Sequence, residues 1–250
     1  MRPWLACVLA LAVGLGTSGC FSEILPSAPV TTRAFICGAI DPATAADVRL
    51  VAYADRPDEA VETGMMGLAA ELAHLSGRDT GDIALVTHDL PEAPKGGWNE
   101  KRLGTWAREQ PFLARDQVTM RVVWLDDLGD GRTGAVVAPG TVALSRSAIA
   151  AAAAVHGKAL TDVAVGVTLH FAGHALGVTN RGIPVQDADL AGREDPAGHD
   201  ADNRSVLHVG WESAGTMEWA PGGIYDHYAL SALADWQGAR ATTGVCGVRR

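Results

Sequence analysis

Residues 170–180 read His170-Phe171-Ala172-Gly173-His174-Ala175-Leu176-Gly177-Val178-Thr179-Asn180. Two histidines four apart in a segment of helical pattern leave the same face one turn apart. That is the spacing with which a helix offers two imidazole nitrogens to a single zinc ion. Hydrolysis at such a centre also needs a carboxylate that takes a proton from the attacking water and passes it to the leaving amine. The residue after His170 is Phe171, which has no proton-accepting group, and Asn180 is a poor metal ligand. The plain alternative is a pair of histidines making ordinary hydrogen bonds in a polar cleft.

The rest of the chain narrows the classes open to it. Its 250 residues suffice for one sizeable core or two lobes flanking a cleft, and a hydrophobic fraction of 48% argues against wholesale disorder. The net charge is -9 with no basic run, so nothing points to nucleic acid. There is no Gly-x-Ser-x-Gly elbow and no phosphate-cradling Gly-rich loop ahead of a lysine. A thiol protease is disfavoured because the cysteine candidates sit near the chain ends.

Residues 1–19 have the form of a signal peptide: Arg2, an apolar run over 4–16, then Thr17-Ser18-Gly19-Cys20. The last four resemble a lipobox, which would make Cys20 the lipidated first residue of an exported envelope lipoprotein. Thr17 departs from the usual leucine, and ordinary cleavage with release is the alternative. Contact with a membrane is expected through that anchor only. Residues 20–36 are expected to be a tether, with 21–33 rich in Pro, Ser and Thr. Cys37 and Cys246 then remain, and in an oxidising compartment they can pair and staple the two ends of the domain. The alternative is two buried thiols.

Along the chain, the patterns predict strands at 48–54, 83–87 and 118–125, then a bent pair at 135–138 and 141–144 broken by Pro139-Gly140. Helices are predicted at 58–75, stopped by Gly77, at 147–155, and at 162–176 behind Thr161 as its cap. Residues 91–111, with Trp98 and Trp106, read as a loop with a short helical piece. The acidic run 126–131 reads as a turn, since Leu128 stands at a ligand position of any calcium loop. After Gly177 periodicity vanishes until a helix at 226–236.

This layout and the spaced histidines resemble the metzincin clan of zinc metallopeptidases, whose helix carries H-E-x-x-H-x-x-G. More narrowly, Gly177-Val178-Thr179-Asn180-Arg181-Gly182-Ile183-Pro184, Glu194-Asp195-Pro196, Gly198-His199 and Ser205-Val206-Leu207-His208 resemble bacterial secreted metzincin-like proteins. Phe171 replaces the family's glutamate, Ser205 its cysteine and Leu207 its turn methionine, for which Met217 is an alternative source. The resemblance implies an α/β (α+β) domain over 37–250. Its upper lobe, to about 177, would hold a twisted mixed sheet and two long helices, and its lower lobe, 178–250, would be irregular and end in a helix. It also implies zinc held by His170, His174 and a loop nitrogen, His199 first and His208 second, above a cleft for a peptide or protein segment.

Three functions follow as expectations. The first is a catalytically degenerate zinc-peptidase-like lipoprotein that keeps the cleft. The second is an active zinc peptidase using a substitute carboxylate from Asp187, Asp189, Glu194 or Asp195. The third is an envelope protein that binds no metal.

Overall fold

Strands β1 (Asp47–Ala54), β2 (Ile83–His88), β3 (Leu113–Ala114), β4 (Gln117–Leu125), β5 (Gly134–Ala138) and β6 (Thr141–Ser145) form a single sheet. The structure is a computed structural model that describes residues 29–114, 116–128 and 131–176. Five strands lie in the order β2-β1-β4-β6-β5, and the two-residue β3 pairs with the start of β4. β1 runs parallel to β2 and β4, and β4 runs parallel to β6. β5 turns back antiparallel to β6. The turn uses Pro139-Gly140, with Gly140 at φ 66°, a value that a side chain would strain. A register shift between Val136 and Ala138 makes Val137 the extra residue of a bulge. The fold is therefore mixed α/β.

Alternation along the central strands sets up two interiors. Val48, Leu50, Ala52 and Ala54 of β1, with Val118, Met120, Val122 and Trp124 of β4, face the larger one. Val123 and Leu125 face the other, beside half-buried Tyr53. Strands buried on both faces read as nearly unbroken apolar runs, as the second halves of these do over 50–54 and 122–125.

Helices α1 (Pro29–Ile40), α2 (Glu59–Ser76), α4 (Arg146–His156) and α5 (Leu160–Leu176) contribute to the larger interior. Among the described residues, α3 (Glu100–Glu109) is the one helix that covers the opposite face, through Leu103 and Ala107. Side-chain caps define several of the starts. Asp58 accepts from Val61 N at 3.0 Å, Asn99 from Arg102 N at 3.0 Å, and Ser145 from Ala148 N at 3.3 Å. Gly77 and Gly157 close α2 and α4 in the left-handed conformation. Asp58 also binds Arg146 with its second oxygen, tying the starts of α2 and α4 together.

The two long helices, α2 and α5, pack closely because α2 turns glycines toward α5. A Cβ on Gly64 would lie 2.8 Å from the Thr168 hydroxyl, and one on Gly67 would lie 2.9 Å from a Val165 methyl. Any larger residue at these positions would push the helices apart.

Two sequence expectations change. Thr161 lies inside α5 rather than capping it, because the helix begins at Leu160 and Val163 N already bonds to Ala159 O. The stretch read as tether, 20–36, overlaps α1, whose Phe35 and Ile36 are wholly buried. Composition over 21–33 dominated that expectation, whereas the apolar run Phe35-Ile36-Cys37 belongs to the core. Arg78 fastens the end of α1: its guanidinium donates to Ala39 O and Ala45 O at 2.6 Å and to Gly38 O at 3.1 Å. Burial pulls this guanidinium below its usual range, and Asp41, Asp82 and Asp47 oppose that shift. Cys37 is buried and disulfide-bonded, while Cys246 lies outside the described residues.

Candidate metal centre

α5 has one charged side chain apart from its histidines, Asp162 in the first turn. From Val163 to Leu176 nearly every residue is buried, since α2, α4 and the sheet enclose the helix on several sides. A helix that is apolar around its circumference is a core helix, and two imidazoles placed at the end of one are exceptional. His170 is 0% exposed, and His174 is half-buried one turn later.

The two rings converge. Their Nε2 atoms lie 3.2 Å apart, with ring centroids at 4.6 Å and planes at 84°. Zn–N bonds of about 2.0–2.1 Å at a tetrahedral angle place two ligand nitrogens about 3.3–3.4 Å apart. The pair thus fits two corners of a zinc site. The same separation also suits an imidazole–imidazole hydrogen bond, one ring donating and the other accepting. Among the described residues no group of three or more His, Cys, Asp or Glu side chains is arranged to hold a metal ion. His199 and His208, expected as third ligand, lie outside the described residues, as do Asp187, Asp189, Glu194 and Asp195.

Phe171 occupies the place beside this pair. It is 2% exposed, and its ring meets His170 edge-on at 4.7 Å and lies 6.4 Å from His174. The far side of the ring rests on β5 at Gly134. A Cβ built there would fall 2.5 Å from the Phe171 Cδ2 and Cε2 atoms and 2.8 Å from Leu144 Cδ2. The ring fills the space that a side chain at 134 would need. Gly134 is the residue that sequence reasoning missed; its only trace was a glycine just ahead of a predicted strand.

β5 brings one more feature to this place. Ser145 N donates to Thr133 O at 2.8 Å, which makes Thr133 and Ser145 a hydrogen-bonded antiparallel pair. By the alternation of such ladders, Gly134 and Val136 turn their peptide groups away from β6. Among the described residues, β6 is the sole strand partner of β5. Among the described residues, an outward-facing strand edge therefore starts at the glycine that the Phe171 ring touches.

Cys20 and the segment around it lie outside the described residues. No described helix is long and apolar enough to cross a membrane. Comparison with protein-family models, curated proteins and solved structures finds no match for this chain.

Proposed function

We propose that this chain is an exported, metzincin-like lipoprotein of zinc-peptidase fold that is catalytically degenerate and retains a cleft for a peptide or protein segment. The observation that carries this is the place beside the convergent His170–His174 nitrogens. There a peptidase needs a carboxylate, and the chain has a buried hydrocarbon ring. Two long helices packed on one face of a mixed sheet, the second bearing both histidines, support the same reading.

In this proposal His170, His174 and His199 hold zinc, which when bound supplies Lewis acidity to a peptide carbonyl. The remaining roles belong to the chain. The Gly134–Val136 edge of β5 takes an extended segment by adding a strand, a mode of recognition that requires no base. Phe171 puts buried carbon where a base would sit, so a bound peptide is held without proton transfer.

The test is the metal content of purified residues 21–250 beside His170→Ala and His199→Ala, together with peptidase assays. Near-stoichiometric zinc in the parent, lost in both variants, with no peptide cleavage, is the expected result. Cleavage by the parent, abolished by a chelator and by His174→Ala, overturns degeneracy in favour of an active enzyme with a substitute carboxylate. No zinc after reconstitution assigns the 3.2 Å contact to a hydrogen bond and removes the metal from the function. Phe171→Glu then asks how much of the centre survives. Gain of zinc-dependent cleavage is expected if cleft and metal are intact.

A further inference from the structure

A concavity lies on the face of the sheet that α3 covers and does not involve the histidines. It is an open groove of about 870 Å³ along α3. Trp98 and Trp106 supply its aromatic wall, and both are half-buried against the smaller interior. The rings are braced before any ligand arrives. Trp106 stands edge-on to Tyr53, with centroids 5.1 Å apart and planes at 87°, and lies 6.2 Å from Trp98 at 63°. The Trp98 indole N–H donates to Pro91 O at 3.1 Å, and the neighbouring Asn99 caps α3. Rigid rings lose little freedom on binding, so this wall is preorganised.

The charges around it balance. Glu92, Glu100 and Glu109 face Lys101, Arg102 and Arg132. Arg132 is already paired with Glu100 at 3.0 Å, and Arg102 donates to Gly97 O at 2.6 Å. Such a rim has no net field to attract a polyanion or a strongly charged peptide. A peptide adding as a strand is also unsuited, because α3 forms the wall and a helix spends its backbone groups internally. A neutral ligand with a flat apolar face and polar edges fits all three features. The face stacks on indole, and carboxylates and ammonium groups bond vicinal hydroxyls.

We propose that this groove binds a neutral oligosaccharide, with one sugar ring stacked on Trp106. The experiment titrates residues 21–250 with cellohexaose, chitohexaose and maltohexaose, read by calorimetry and tryptophan fluorescence. At least one sugar is expected to bind with a change in tryptophan emission, and with affinity unchanged between about 50 and about 500 mM salt. Trp106→Ala is expected to weaken it at least about tenfold. Trp106→Phe, which keeps a ring against Tyr53, is expected to weaken it about threefold. Circular dichroism and melting confirm folding, and Trp106→Phe carries the test where the alanine variant does not fold. No binding by any of the three up to about 5 mM overturns the proposal. So does binding indifferent to both Trp106 variants, or a steep loss of affinity with salt, which marks a charged ligand.

Discussion

The two faces of the sheet are built on opposite principles. On one, four helices enclose the strands and pack glycine against side chain, so that Gly64 meets Thr168 and Gly134 meets Phe171 at distances that leave no room for a methyl. On the other, α3 is the one helix among the described residues, and it covers a small cluster and leaves two tryptophans at the edge of a groove. The crowded face holds the two imidazoles against each other. The thin face keeps aromatic surface near solvent. Tight enclosure suits a centre whose geometry must be held, and thin cover suits a surface that meets ligands directly.

Equal deletions on the two faces measure that contrast. Leu72→Ala in α2 is expected to cost about 4 kcal/mol, because its neighbours are pinned and cannot collapse into the cavity. Leu103→Ala in α3 removes the same atoms from an equally buried site. It is expected to cost about 2–3 kcal/mol, since the helix can settle toward the sheet. Equal losses in denaturant unfolding would remove the distinction between a rigid and a yielding face.

The Gly134–Phe171 contact comes next. Gly134→Ala is expected to destabilise by about 2 kcal/mol through overpacking. In the Phe171→Leu background the cost should shrink, giving a coupling energy of about 1 kcal/mol in a double-mutant cycle. Strict additivity would show that the ring is not held by the missing side chain. Phe171→Glu is expected to lose about 2–3 kcal/mol, because a carboxylate replaces buried ring carbon. Gain of function there must therefore be sought at low temperature.

Gly64→Ala sets two effects against each other. Helix propensity favours alanine by about 1 kcal/mol, whereas the contact with the Thr168 hydroxyl opposes it. Fixed packing of α2 on α5 predicts net destabilisation of about 1 kcal/mol, read as a lowered melting temperature. A raised melting temperature would mean the crowded face can give way. Asp58→Ala removes a cap and a half-exposed ion pair with Arg146, and is expected to cost about 1 kcal/mol. The smallest effect belongs to the thin face: Lys101→Ala, exposed on α3, should change stability by less than about 0.5 kcal/mol.

Much of the described fold was legible in advance, for identifiable reasons. β1 and β4 announce themselves through alternation of branched and large apolar residues. α2 does so through its step of three and four, bracketed by Asp58 and Gly77. α1 was hidden because its first turns have tether-like composition. The extent of α3 was hidden because its exposed face is polar and only Leu103, Gly104 and Ala107 mark the buried one. At the candidate centre, the histidine spacing and the hydrocarbon at 171 were both visible as letters. Their arrangement in space was not.

The sequence by itself determined the spacing of His170 and His174, the absence of a carboxylate after the first, and the periodicities that assign strand or helix. All three are local properties carried by the chain's own geometry. Only the tertiary structure decided that the two Nε2 atoms converge to 3.2 Å and that a glycine on β5 makes room for the Phe171 ring. It alone set the peptide edge of β5 beside them and a braced pair of tryptophans on the far face. These are meetings between segments distant in sequence, and they depend on how helices and sheet pack. Local pattern does not specify that packing.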